Sequence, residues 1–167
     1  TRYVWGDASL HEVVQTLKPN CYFSHYTAMG FHGLTEQLPK TLYVNDEQAS
    51  PSRSTGPMTQ EAIDSAFRRK VRVTQQIAET EDFRVCILNG RNTGQMGVME
   101  EPVTGPNGKP LGKLRYTNLE RTLIDITIRP TYAGGVFEVA KAFSLARETL
   151  SVNALAADRK STRLNSS

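Results

Sequence analysis

The segment at residues 116–130, YTNLERTLIDITIRP, constrains the fold more than any other part of this sequence. Thr117 and Glu120 have the Thr-x-x-Glu spacing of a capping box, which predicts that a helix begins here. Pro130 predicts its end, because proline has no N–H group and disfavours helical geometry at the preceding residue. Apolar residues at helical spacing form one expected buried face: Leu119, Leu123, Ile124 and Ile128. The sequence therefore predicts a helix that packs on a core.

The polar side of this predicted helix carries Arg121, Asp125 and Arg129 at four-residue spacing. The ordinary interpretation is a stripe of exposed, solvated side chains. In such a stripe each carboxylate–guanidinium pair stabilises the helix by only roughly 0.2–0.5 kcal/mol. In the second interpretation the three side chains form a partly buried cluster, so that replacing Asp125 would strongly destabilise the fold. In the third, Arg121 and Arg129 form an interaction surface that Asp125 holds in place. We expect the surface role for the two arginines.

The composition is that of a globular chain long enough for one domain with a core, with 167 residues, 38% hydrophobic and 22% charged. No run of eighteen apolar residues and no signal-peptide pattern is visible, so we expect a cytoplasmic protein. The only two cysteines, Cys21 and Cys86, lie in apolar contexts. They are expected to be buried free thiols rather than metal ligands or a disulfide.

The two ends of the sequence are expected to lie outside the domain. Residues 158–167, DRKSTRLNSS, resemble a translated sequencing adapter and hold two of the three net positive charges. Without these residues the net charge is close to neutral, so the composition no longer suggests nucleic-acid binding. Residues 1–6 include a strand-like Tyr-Val-Trp run, which we interpret as the end of a missing N-terminal domain. The expected domain is therefore 7–157.

Within this domain the first half predicts two short helices and a strand. Ser9 and Glu12 form a capping box before an apolar stripe that ends near residue 19. Ser24 is expected to cap a second helix that reaches His32, with Gly33 in the left-handed position that follows many helices. Residues 42–44 predict a strand, and the Ser- and Pro-rich residues 46–60 predict an exposed loop.

The second half predicts strands followed by the two longest helices. After a helix at 61–69 and a charged edge strand at 71–73, a buried strand at 83–88 is expected to form a hairpin with 96–99. A second turn is expected at 105–108. The last helix follows two glycines, and its expected buried stripe is Val136, Val139, Ala140, Phe143 and Ala146. We predict an α+β fold: a small, mainly antiparallel or mixed sheet flanked by amphipathic helices in a single domain.

No residue pattern in the sequence predicts catalysis, a cofactor or a metal site. The three histidines, His11, His25 and His32, have no carboxylate or cysteine beside them at ligand spacing. Ser24 next to His25 is better explained by helix capping than by nucleophilic attack. The acids and lysines of a metal-dependent nuclease do not fall on one face: Glu100, Glu101, Lys109 and Lys113. We therefore expect a protein that is not an enzyme.

Two segments of the sequence resemble the AbiEi antitoxins of type IV toxin–antitoxin systems. The first, at 22–44, is YFSHYTAMGFHGLTEQLPKTLYV, and it contains the Ser-His, Thr-Ala, His-Gly-Leu and Pro-Lys-Thr elements of the family signature. The second, at 117–136, is TNLERTLIDITIRPTYAGGV and follows at the distance found in the family. The resemblance makes these residues candidates for family motifs or interactions: Ser24, His25, His32, Gly33, Glu120, Arg121, Asp125, Arg129 and Pro130.

The resemblance implies a bacterial antitoxin of an abortive-infection, or phage-defence, system. Its functional partner is a nucleotidyltransferase toxin encoded in the same operon, and a stable complex between them is not generally held to be required. The family's transcriptional autorepression implies operator DNA as a second partner, bound by an N-terminal winged helix-turn-helix domain that is missing here. A sheet-based nuclease or nucleotide-handling enzyme, or a plain binding module, is the alternative. A nucleotidyltransferase gene beside this one would distinguish the antitoxin from these alternatives.

Overall fold

The computed structural model describes residues 8–37, 40–49, 59–68, 73–79, 82–105, 107–153 and 155–156. The helices are α1 (Leu10–Gln15), α2 (His25–Phe31), α3 (Gln60–Arg68), α4 (Leu119–Ile128) and α5 (Val136–Ala146), with a 3₁₀ helix at Pro130–Ala133. The strands are β1 (Tyr22–Phe23), β2 (Thr41–Gln48), β3 (Ile77–Glu79), β4 (Arg84–Arg91), β5 (Val98–Thr104) and β6 (Pro110–Thr117). The strands form one mixed sheet, which confirms the predicted α+β class.

The strand order in the sheet is β3-β4-β2-β1-β6-β5. The short β1 lies between β2, to which it is antiparallel, and β6, to which it is parallel. β2 and β4 are parallel, because the chain crosses between them through α3 and β3 rather than through a hairpin. The expected hairpin between 83–88 and 96–99 is therefore wrong. β4 pairs with β2 and β3, whereas β5 pairs with β6.

The segment between β4 and β5 contains several left-handed residues, and it does not form a hairpin turn. Gly94, Gln95 and Gly97 all have positive φ angles, of 65°, 57° and 69°. β4 is paired on both sides, with β2 and with β3, so it has no free edge on which β5 could form a hairpin. The turn expected at 105–108 is confirmed and joins β5 to β6, with the Gly108 N–H donating to the Gly105 carbonyl oxygen at 2.9 Å.

Each face of the sheet carries its own core. Successive side chains of a strand point to opposite faces, and on β2 Leu42 and Val44 enter one core while Tyr43 packs against the other. The first core lies under α1: Val14, Cys21, Phe23, Leu42, Val44, Val85, Val103, Leu114 and Tyr116. The second core is formed mainly by α2, α4, the 3₁₀ helix and α5: Tyr26, Met29, Leu34, Leu123, Ile126, Ala133, Val139, Ala142 and Ala146.

The capping box predicted for α1 is confirmed, whereas the one predicted for α4 is wrong. The Glu12 N–H donates to Ser9 Oγ at 3.2 Å, and the Ser9 N–H donates to Glu12 Oε2 at 2.9 Å. The cap of α4 is Asn118, whose side-chain oxygen accepts the Arg121 N–H at 2.9 Å. Thr117 is still paired with β5, so its backbone cannot open the helix one residue earlier.

For the two longest helices, the predicted ends agree with the structure better than the predicted buried faces do. α4 ends at Ile128, before Pro130, as predicted. Leu123 of the predicted face is buried and Leu119 packs against the second core, but Ile128 is 63% exposed, and Ile126, outside the predicted face, is buried. On α5 the buried row is Val139, Ala142 and Ala146, while three residues of the predicted stripe are exposed: Val136, Ala140 and Phe143. Two overlapping apolar rows run along this helix, and packing on the second core selects the row with two alanines.

The remaining expectations are partly covered by the described residues. β2 continues to Gln48 and α3 begins at Gln60, so the expected loop at 46–60 is shorter at both ends. Most of that loop, at 50–58, lies outside the described residues, as do residues 1–7, 69–72 and 157–167. Residues 71 and 72 of the expected edge strand lie outside the described residues and Val73 is not in a strand, while β3 pairs with β4. Cys21 and Cys86 are buried free thiols, as predicted.

Candidate functional site

The structure brings together the two segments that carry the family resemblance. β1, from the first segment, lies parallel to β6, which leads into the second. α2 of the first segment packs against both α4 and the 3₁₀ helix of the second. His32 Nε2 donates to the Thr117 carbonyl oxygen at 2.7 Å, which ties the end of α2 to the start of the second segment. The candidate site is built where these elements meet.

Ser24 and His25 lie at the start of α2, beneath Tyr132. Ser24 is the N-cap residue, but its hydroxyl caps no backbone N–H group and instead pairs with His25 Nδ1 at 2.9 Å. The prediction that the serine hydroxyl caps this helix is therefore wrong. The reason lies in the backbone: His25 has a φ of 52°, in the left-handed region that is rare for a non-glycine residue. The His25 ring packs edge-on against Tyr132, with a centroid separation of 5.6 Å.

His25 is held as a neutral imidazole. Burial and the nearby positive charges of Arg129 and Arg121 lower the pKa of His25 to about 3. A left-handed, buried histidine is a strained arrangement that persists only when its surroundings determine it. Ser24 is fully buried and His25 nearly so, and the pair lies where α2 packs against the 3₁₀ helix.

Arg121 and Asp125 form a largely buried ion pair on α4. Arg121 Nε donates to Asp125 Oδ1 at 2.8 Å, and the two side chains are only 7% and 13% exposed. Arg121 Nη1 also donates to Thr93 Oγ1 at 3.2 Å and to the Met96 carbonyl oxygen at 3.1 Å. The solvated-stripe interpretation and the surface role for Arg121 are therefore both wrong. The arginine holds residues 93–96 against α4, while Arg129, one turn beyond Asp125, is exposed.

Glu47 is the centre of a second set of hydrogen bonds, joined to the first through Thr93. Glu47 accepts the Thr93 N–H at 2.9 Å, the Gln95 N–H at 3.1 Å and the Tyr22 hydroxyl at 2.9 Å, and it also accepts the Thr93 hydroxyl. Asn45 Nδ2 donates to the Tyr22 hydroxyl at 2.6 Å. We call the connected set the polar network: Tyr22, Asn45, Glu47, Thr93, Arg121 and Asp125.

The charge states within the polar network follow from burial and from these bonds. Burial acts to raise the pKa of Glu47, but the hydrogen bonds from Thr93, Tyr22 and Gln95 together lower it. Burial raises the pKa of the Tyr22 hydroxyl, so Tyr22 stays a donor to Glu47. Burial likewise raises the pKa of Asp125, although the Arg121 guanidinium acts in the opposite direction.

Sequence reasoning missed Tyr22, Asn45, Glu47 and Thr93 as members of the site. One local signal for them exists: Tyr43, Asn45 and Glu47 alternate along β2 and must share a face. Two polar residues on the face that carries Tyr43 could have indicated hydrogen-bond partners above the sheet. The identity of those partners depends on the fold, because Thr93 lies 46 residues away in the chain.

The other candidate residues lie around the network and not within it. Gly33 has a φ of 67° after the end of α2, as predicted. Glu120 accepts the Ser151 N–H at 3.4 Å rather than closing a capping box. Pro130 starts the 3₁₀ helix, and its carbonyl oxygen accepts the Gly135 N–H at 2.9 Å. These three residues position the ends of helices.

Within the described ranges no three His, Cys, Asp or Glu side chains are placed so that they could share a metal ion. Among the helices of those same ranges, none has the length and apolar character needed to cross a membrane. Comparison with known protein families and with curated proteins gives no match to this chain.

Proposed function

We propose that this chain is the antitoxin domain of an AbiEi-type antitoxin, which counteracts a nucleotidyltransferase toxin encoded in the same operon. The observation that carries the proposal is spatial. The two segments that resemble the family are separated by more than seventy residues, yet they pack directly on one another and supply five of the residues described above: Tyr22, Ser24, His25, Arg121 and Asp125. A motif divided in sequence but joined in space is expected when both parts serve one site.

The bonding of the polar side chains favours a binding or regulatory domain over a catalytic one. Both oxygens of Glu47 accept hydrogen bonds from the protein, and Asp125 is paired with Arg121. Side chains committed in this way specify the shape of the domain, whereas a general base or metal ligand must be able to reach a substrate. The proposal includes a cytoplasmic, bacterial protein with a role in phage defence. Operator binding belongs to the winged domain of the parent protein.

One observation favours the alternative of a nuclease or nucleotide-handling enzyme. Glu47 lies near the carboxyl ends of the parallel strands β2 and β4, the position where open α/β sheets place their ligands. This alternative predicts cleavage of DNA or RNA that depends on a divalent cation and is lost in Glu47→Gln. If the purified chain cleaves nucleic acid in this way, the enzyme interpretation replaces the antitoxin proposal.

Growth rescue in cells tests the antitoxin proposal directly. The nucleotidyltransferase gene beside this one is induced with and without the chain, and colony counts are compared. We expect the chain to restore growth by orders of magnitude, and a frameshifted copy of its gene to restore none. The proposal fails if a folded chain, present at the level of the toxin or above it, leaves the toxicity unchanged. It also fails if the neighbouring gene encodes no nucleotidyltransferase.

A further inference from the structure

The two ring nitrogens of His25 have different surroundings. Nδ1 lies 2.9 Å from Oγ of the fully buried Ser24. Nε2 forms no hydrogen bond within the described part of the chain, although His25 is only 7% exposed. The same residues contain no buried side-chain nitrogen or oxygen without a partner, so Nε2 must reach the solvent. An almost buried imidazole therefore presents one nitrogen at the surface.

The hydroxyl group of Ser24 determines which of these nitrogens carries the proton. Among the described residues, Ser24 Oγ is bonded to His25 Nδ1 and to no other group. The buried hydroxyl hydrogen therefore has one acceptor in reach, and leaving it without an acceptor would cost stability. It follows that Ser24 donates to Nδ1. Since the imidazole is neutral, its own proton is on Nε2, and the atom at the surface is a hydrogen-bond donor.

The backbone and Tyr132 hold this donor in place. The φ angle of His25, 52°, is unfavourable for a residue with a side chain. The ring packs edge-on against Tyr132, whose hydroxyl oxygen accepts the Thr74 N–H at 2.9 Å. Strained residues that the surrounding structure keeps in one conformation occur mainly at active sites and ligand-binding sites. The strain at His25 therefore supports a role in binding.

The positive charge of Arg129 lies near this donor. The Tyr132 N–H donates to the Arg129 carbonyl oxygen at 3.1 Å, so Arg129 lies one 3₁₀ turn before the residue that contacts the His25 ring. Two charges act on His25, both positive, and that of Arg129 is the stronger. The other, Arg121, is paired with Asp125. Arg129 is exposed and forms no ion pair with any described residue, so its guanidinium is able to bind an anion beside Nε2.

A phosphate group matches these two donors. A guanidinium group binds two phosphate oxygens side by side, which leaves a third oxygen to accept the Nε2–H of His25. A carboxylate has only two oxygens, and the guanidinium group alone occupies both. Nucleic acid is a poorer match, because its binding depends on many cations along the phosphate backbone, whereas Arg129 is a single unpaired charge here.

We propose that His25 Nε2 and the Arg129 guanidinium bind the phosphate group of a small phosphorylated ligand. Ser24 is the positioning residue of this site, because its hydroxyl keeps the imidazole proton on Nε2. The site joins the two segments at the contact between α2 and the 3₁₀ helix. It goes beyond the proposed antitoxin function and does not depend on it, since it follows from the groups at this surface alone.

Nuclear magnetic resonance of the histidine rings tests both steps on the intact chain. At pH 7 the isotope-labelled ring of His25 should carry its proton on Nε2. Titration with inorganic phosphate, and separately with ATP, should then shift the His25 signals until they saturate. The other two histidines are internal controls, because His32 Nε2 is bonded to the Thr117 carbonyl oxygen and His11 packs against Phe23. Sodium chloride at matched ionic strength separates binding from the screening of charges.

Arg129→Gln is the decisive variant, because it removes the charge from an exposed position. It should raise the Kd of the phosphate-containing probe, measured in the same titration, tenfold or more and keep the melting temperature of the parent chain. Arg91→Gln is the matched control: Arg91 is also exposed and without an ion pair among the described residues, but its charge does not act on His25. It should bind like the parent.

The two probes distinguish the possible sources of the phosphate group. Binding of ATP without binding of inorganic phosphate would identify a nucleotide as the ligand, whereas equal affinities would identify the free anion. The proposal is overturned if the proton of His25 is on Nδ1, or if neither probe produces a saturable shift. Equal shifts of all three histidines, or an unchanged affinity in Arg129→Gln, would overturn it as well.

Discussion

At the scale of single residues, Arg121 shows how a charge is accommodated at the edge of a core. Burial acts against its positive charge, but the Asp125 carboxylate, Tyr22 and Glu47 more than offset that effect, so the pKa of Arg121 is raised. Its side chain also closely contacts residue 97, where an added Cβ would lie 2.8 Å from Arg121 Cβ. Arg121 therefore depends on Asp125 for its charge balance and on Gly97 for its space.

Asp125→Ala should destabilise the protein by about 3 kcal/mol, because it leaves a mostly buried guanidinium without its carboxylate. The free energy of unfolding is measured by urea denaturation at pH 7. Arg129→Ala is the control: it lies one turn away but is exposed, so it should change stability by less than about 0.5 kcal/mol. If both substitutions changed the free energy of unfolding by the same small amount, the charged side chains of α4 would be an ordinary solvated stripe after all.

At the scale of elements, α4 shows how a strand can decide where the next helix starts. Thr117 and Asn118 are neighbours, and either side chain could cap the N-terminus of α4. The Thr117 hydroxyl does not cap it, because it is hydrogen-bonded to Thr122 Oγ1 at 2.7 Å. Pairing with β5 keeps Thr117 extended, so Asn118 becomes the first residue free to turn. Its N–H is also bound by the Gly97 carbonyl oxygen at 2.7 Å, which fixes the cap between strand and helix.

Asn118→Ala should therefore lower the free energy of unfolding by about 1 kcal/mol, the usual cost of losing an N-cap side chain. Glu120→Ala should cost less than half as much, since Glu120 accepts only a long bond from Ser151. Chemical denaturation of the two variants measures both values. A larger loss in Glu120→Ala than in Asn118→Ala would mean that the capping box forms after all.

At the scale of the whole molecule, the polar network connects elements that are distant in the chain. Glu47 on β2 binds β1 through Tyr22 and the segment before β5 through Thr93 and Gln95. Thr93 in turn accepts a hydrogen bond from Arg121 on α4. The network therefore fixes how the sheet, that segment and α4 sit relative to one another.

Mild acid should destabilise the whole domain. The pKa of His25 is lowered to about 3, mainly by burial, and burial also lowers the pKa values of His11 and His32. Below pH 6.5 the unfolded chain therefore binds protons that the folded chain does not, and stability falls. His25 alone should contribute a loss of about 1 kcal/mol between pH 7 and pH 5.5.

Urea denaturation at pH 7 and pH 5.5 measures this loss. His25→Asn is the informative variant, because asparagine tolerates the left-handed backbone and does not titrate. It should remove the His25 part of the pH dependence and leave that of His11 and His32. An unchanged difference between the two pH values in His25→Asn would show that His25 is not the responsible group.

The sequence alone was sufficient for features that depend on residues a few positions apart. The capping box at Ser9, the stop at Pro130 and the left-handed Gly33 are local, and each is found as predicted. The α+β class also followed from the sequence, because helical and strand periodicities are properties of short windows.

Only the tertiary structure decided the features that depend on distant partners. Sequence periodicity cannot tell which strand β4 pairs with, because the crossover through α3 competes with a nearby hairpin. It cannot tell that Arg121 is buried, since Thr93 and the Met96 carbonyl, which offset its desolvation, lie about 25 residues earlier. Nor does it choose between two apolar rows on α5, because packing with α4 buries one row and leaves Phe137 and Val136 exposed.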